Sequence, residues 1–153
     1  MEDYHSAFLE RSTDVEKLHE IGRHTAAMHF GGVTIECLLK YILCLCMPLN
    51  HDGEKEWYTC EENPRDTITN PKHTITNPGH NYQKALEYAR RYNRHLHRRI
   101  RDFPQMMTWL QIVETPSGHF INMRYQGTEP DARSYEQWYT VYNRLKSWLQ
   151  KEI

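Results

Sequence analysis

Residues 24–48 read HTAAMHFGGVTIECLLKYILCLCMP. Ala27, Phe30, Val33, Leu38, Leu39, Ile42 and Leu45 are spread almost all round a helical wheel. A helix that is apolar on every side belongs at the centre of a larger body. The stretch therefore predicts a central helix from His24 to Met47, stopped by Pro48. Its polar exceptions, Glu36 and Lys40, are four residues apart and share a face. They read either as an internal ion pair or as part of a ligand cleft. The most apolar part, CLLKYILCLCMPL, is interrupted by Lys40 and is too short to span a bilayer, so no membrane span is expected.

Working outward, residues 4–21 predict a first helix with Phe8, Val15, Leu18 and Ile21 facing inward and Gly22 ending it. Helical pattern resumes after the turn NPGH, with Asn81 as N-cap and Tyr82, Ala85, Leu86, Ala89 and Tyr92 on one face. A further helix is expected from Pro104 to Val113, with the proline in its first turn. ETPSGHF reads as loop. Tyr135, Trp138, Tyr142, Leu145 and Leu149 recur at helical spacing in a last helix over 134–152. No strand pattern competes. The expected fold class is all-α, an antiparallel up-and-down bundle of about five helices in one domain, residues 1–153.

Residues 48–80 break this pattern, being rich in Asn, Asp, Gly, Pro and Thr. They predict a long loop or flap between the second and third helices. Within it, TITNPKHTITNPGH (67–80) says nearly the same thing twice, and each copy ends in a histidine, His73 and His80. A short hairpin or mobile flap is expected there. Two histidines seven apart lack a third ligand, so no metal is expected. Cys37, Cys44, Cys46 and Cys60 form no Cys-x-x-Cys pair and read as buried reduced thiols.

The chain has 153 residues and a net charge of −1, so its overall balance does not point to nucleic acid. The N-terminus is acidic and polar rather than a secretory signal, and a soluble, cytoplasmic protein is expected. One stretch departs from the balance. RRYNRHLHRRIR (90–101) holds six arginines, two histidines and no acid. It reads as a solvated helix face and turn, or as a phosphate-contacting patch built from Arg90, Arg94, Arg98, Arg99 and Arg101. Tyr92 fits a base-stacking role and the core face equally well. Neither a Gly-rich phosphate loop nor paired metal carboxylates occur, so a small-molecule metabolic enzyme has no motif to support it.

Three stretches carry a resemblance. AAMHFGGVTIECLLKYIL resembles the second helix of HEPN-domain proteins, which reads roughly Ala-x-x-x-Ala-Gly-x-x-x-Glu-x-x-Leu-Lys; Gly31, Glu36, Leu39 and Lys40 fit it. GHNYQKALEYA resembles the family's Gly-His-x-Leu segment, although Tyr82 and Gln83 replace the usual aliphatic. FINMRYQG is similar to its Arg-Tyr-Pro segment, with Gln126 where proline is common.

The resemblance, to the prokaryotic stand-alone type, implies a groove lined by Glu36, Lys40, His80, Arg124 and Tyr125 and a nucleotide or RNA ligand without a cofactor. It also implies a homodimer acting beside a nucleotidyltransferase in a toxin–antitoxin or defence module. Trp109, Trp138 and Trp148, more aromatic surface than a small core obviously needs, point the same way. Many members are metal-independent ribonucleases whose motif is Arg, four to six residues, then His. Arg124 stands at the matching late position, but no His follows it. The spacing recurs only at Arg23–His29, at Arg90 with His95 or His97, and at Arg91–His97. The expectation is therefore a binding protein with a degenerate nuclease motif. The alternatives are an active ribonuclease using a displaced pair such as Arg91 and His97, and a purely structural interaction module.

Overall fold

The computed structural model describes residues 1–49, 53–57 and 75–153. The first TITNP copy, with His73, and Cys60 lie outside the described residues, as does most of the expected flap. Among the described residues there are six α-helices, one 3-10 helix and no strand. They are α1 (Tyr4–Glu20), α2 (His24–Cys46), α3 (Tyr82–Tyr92), α4 (Arg94–Asp102), α5 (Gln105–Glu114), the 3-10 helix (Phe120–Tyr125) and α6 (Ala132–Gln150). The protein is an all-α helical bundle.

Local chemistry places the helix ends. Asp3, Asn81, Asn93 and Asp131 each accept a hydrogen bond from the backbone N–H three residues on, which satisfies an orphan donor of the first turn. α1 ends where Gly22 takes φ +72°, a conformation costly for any residue with a Cβ. Ile21, expected inside, is the residue that caps this helix, and it is 71% exposed. Leu45 likewise faces outward near the end of α2.

α1 and α2 form an antiparallel hairpin. Lys40 Nζ sits 5.5 Å from the Tyr4 ring, the His5 and Tyr41 rings are 4.7 Å apart, and Arg11 lies 5.6 Å from the Phe30 ring. α5 and α6 also run antiparallel. α3, reached through the long excursion, lies along α2 in the same general direction: Tyr82 meets Gly32 and Ala89 approaches Cys46.

α2 is the axis of the bundle. Its side chains from Thr34 to Lys40 are all buried, and α1, α3, α5, α6 and the 3-10 helix all pack on it. By length and composition alone, this 23-residue helix is long and apolar enough to cross a membrane. In the fold the helix is enclosed by its neighbours, which is how an all-round apolar helix satisfies itself in a globular core.

Two glycines let the neighbours close in. A Cβ on Gly31 would lie 2.6 Å from two ring atoms of Trp138, and a Cβ on Gly32 would overlap the ring of Phe120. Tyr82 donates its hydroxyl hydrogen to the Gly32 carbonyl from a third side. Trp138 is therefore consumed by the core at 2% exposure and supplies no spare surface for a second copy.

Candidate functional site

The second half of the repeat is anchored. Ile75 and Pro78 are buried, the Thr76 and Tyr88 hydroxyls are 3.4 Å apart, and Asn77 Oδ1 accepts from the Gly79 N–H at 2.9 Å. Gly79 at φ +61° turns the chain into α3. This turn sets His80 beside α2, where Nδ1 lies 2.7 Å from Glu36 Oε2. A carboxylate only accepts, so Nδ1 carries the hydrogen and Nε2 is left toward the outside. The His80 side chain is 55% exposed, whereas Glu36 is 8% exposed.

The other oxygen of Glu36 accepts from Lys40 Nζ at 2.6 Å, and Lys40 is itself buried. Lys40 also faces the Tyr4 ring, and Tyr4 is held by Glu2 and by Trp57 Nε1 at 3.2 Å. Glu36 thus joins a buried partner, which the i,i+4 register of α2 sets on the same face, and an accessible one brought by the turn before α3.

His119 and Glu114, neither singled out in the sequence, complete this corner. His119 Nδ1 accepts from the Ile121 N–H at 3.3 Å and Nε2 lies 3.1 Å from the His80 carbonyl. The tautomer protonated on Nε2 satisfies both contacts. Glu114 Oε1 accepts from the Tyr82 N–H at 3.0 Å, a carboxylate at the positive end of α3. Burial pushes the Tyr82 hydroxyl well above its usual pKa range, so it stays a donor to Gly32. His119 and Glu114 both lie in ETPSGHF, which reads only as loop in the sequence. That loop in fact leads into the unexpected 3-10 helix.

Arg124 and Tyr125 do not join the corner. Tyr125 is 75% exposed and the Arg124 guanidinium lies 4.7 Å from its ring. Both oxygens of Glu36 are taken, so an Arg124–Glu36 pair is replaced by Lys40 and His80. The 3-10 helix explains this, since it turns Phe120 and Met123 inward and leaves the two residues at its end on the surface.

The arginine-rich stretch is not one helix. Asn93 has extended backbone (φ −117°, ψ 96°); its N–H closes α3 on Ala89 and its side chain opens α4 on Leu96. Asparagine side chains compete well with helical backbone bonds, which accounts for the break. The break folds Arg90, Arg91 and His97, with Glu87, around one concavity of about 450 Å³. The acids missing from the stretch come from elsewhere. Glu87 approaches Arg91 at 3.4 Å and Asp102 meets Arg101 at 3.0 Å. Arg99 pairs with Glu152 at the far end of α6 and lies 4.3 Å from the Trp148 ring. Of the five arginines expected on phosphate, Arg99 is thus half-buried against α6, while Arg94 and Arg98 are exposed on α4. Arg90 lines the concavity with part of its surface covered.

Among the described residues, no three His, Cys, Asp or Glu side chains group as a metal site would need. Cys37, Cys44 and Cys46 are free thiols; burial raises Cys37 and Cys44 to about 11. Comparison with family models, with curated proteins and with solved structures finds no match to the chain.

Proposed function

We propose that this is a HEPN-like nucleotide- or RNA-binding protein whose phosphate-contacting surface is centred on the Asn93 break. The observation that carries the reading is the concavity where Arg90, Arg91 and His97 converge beside the exposed Arg94 and Arg98. Guanidinium groups bind phosphate oxygens through a planar fork, and several on one surface follow a backbone without reading its sequence. On this reading the chain is a cytoplasmic homodimer that works beside a nucleotidyltransferase in a toxin–antitoxin or defence module. The motif resemblance supports those further steps.

A second reading has support from the same concavity. Arg91 and His97 have the spacing of the nuclease motif, and they line one surface depression. A histidine there could take the proton of a ribose hydroxyl while the arginine stabilises charge on phosphorus. One design separates the readings: labelled single-stranded RNA, no added metal, several salt concentrations. Binding that weakens with salt while the RNA stays intact supports the binding protein, and Arg94→Gln with Arg98→Gln should make the salt dependence shallower. Cleavage abolished by His97→Ala supports the nuclease. RNA that neither binds at low salt nor breaks rejects both.

A further inference from the structure

Another open groove lies elsewhere, between α4, α5 and α6. It has a volume of about 550 Å³, and Phe103, Trp109, Arg99 and Trp148 are among its lining residues. Phe103 and Trp109 meet edge to face, with centroids 5.3 Å apart, and Phe103 is left exposed. In the same groove the Arg99 guanidinium, neutralised by Glu152, lies over the Trp148 ring. Arg144 and Lys151 stand at the rim, and neither has a carboxylate within ion-pair distance among the described residues.

We infer that this groove binds a nucleotide, its base between the aromatic walls and its phosphate on Arg144 and Lys151. Every base offers a π-face, and aromatic rings and guanidinium planes are the surfaces on which bases stack. The Arg99 charge at the walls is neutralised, whereas Arg144 and Lys151 have no carboxylate partner among the described residues and can take an anionic group. A purely apolar ligand would leave the rim unused, and a polyanion without bases would leave the aromatic walls unused. The ligand that satisfies both is a planar aromatic ring joined to a phosphate. A free mononucleotide and the terminal nucleotide of an RNA share this chemistry. The inference goes beyond phosphate binding at Asn93, because it requires none of the residues of that concavity.

The test titrates the whole chain with adenosine monophosphate, followed by calorimetry and tryptophan fluorescence. Saturable binding is expected, with adenosine about tenfold weaker for want of the phosphate contacts. Arg144→Gln with Lys151→Gln should remove that difference. Trp148→Ala should weaken binding roughly 5- to 150-fold; Trp148→Phe, which keeps a ring and guards against misfolding, should retain most of it. A second arm uses a short 5′-phosphorylated RNA carrying 2-aminopurine at its end or in its middle. Quenching only at the end identifies the RNA terminus as the source, whereas binding in the first arm alone identifies the free nucleotide. No saturable binding in either arm, or binding indifferent to both Trp148→Ala and the rim pair, overturns the inference. The Trp148 and rim variants touch no residue of the Asn93 concavity, so their effect on adenosine monophosphate binding separates this groove from binding there.

Discussion

Lys40 Nζ lies 2.6 Å from Glu36 Oε1 on the inward face of α2, and both residues are more than nine-tenths buried. Two charges so placed hold each other up: the pair as a whole adds little, but either charge left alone inside is costly. Glu36→Gln or Lys40→Met alone should lose roughly 3–5 kcal/mol of stability, and the double change less than the sum. Urea unfolding of the four proteins measures this, and additive losses would refute the coupling.

Arg124 gives the contrasting case. It lies on the surface against Tyr125, away from the occupied oxygens of Glu36. Arg124→Ala and Glu36→Ala should therefore add within about 0.5 kcal/mol. A larger coupling energy would put Arg124 back in the corner.

Gly31→Ala would raise helix propensity by about 1 kcal/mol on an open helix. Here the new methyl meets Trp138, and overpacking of this kind costs about 1–3 kcal/mol. The net effect should be destabilising. The clashing atoms belong to the outer ring of the indole, so Trp138→Phe in the same chain should recover part of the loss. A Gly31→Ala protein as stable as the parent would show that α2 and α6 are not in such close contact.

Asn93→Ala removes the side-chain acceptor that opens α4. The expected cost is about 1 kcal/mol. If the break shapes the concavity, RNA affinity should fall more than this stability loss explains, because Arg90, Arg91 and His97 would no longer be held in one depression. Unchanged affinity would detach the binding surface from the break.

High pH should destabilise the fold. Burial raises Cys37 and Cys44 from 9.0 to about 11 and Tyr142 from 10.0 to about 12, and it also raises Tyr4, Tyr82 and Tyr135. The folded chain keeps these protons longer than the unfolded chain does, so stability falls as pH rises. The contribution is fully present below about pH 9 and is lost progressively toward about pH 12. A urea midpoint that holds constant from pH 9 to 11 would contradict this sign.

The sequence by itself determined the all-α bundle and its axis. An apolar surface on every side of residues 24–47 has only one stable place in water-surrounded protein, and that preference is local in the chain. Asn81, Pro104 and Gly22 marked helix ends because caps and breakers act on their immediate neighbours. The i,i+4 spacing likewise disclosed that Glu36 and Lys40 share a face. The resemblance grouped them with His80, Arg124 and Tyr125, and the tertiary structure sets His80 against Glu36 and leaves the other two on the surface. Within the repeat His73 and His80 look alike; the resemblance of GHNYQKALEYA singles out His80, and the burial of Ile75 and Pro78 holds it against Glu36. The arginine run looked free of acids because its partners, Glu87, Asp102 and Glu152, lie outside it, one of them at the other end of the chain. Arg124 lies outside the groove because the 3-10 helix turns Phe120 and Met123 inward, and Trp109 and Trp148 line a different groove. Such pairings join residues distant in sequence through distances of a few ångströms, and no periodicity within a single segment encodes them.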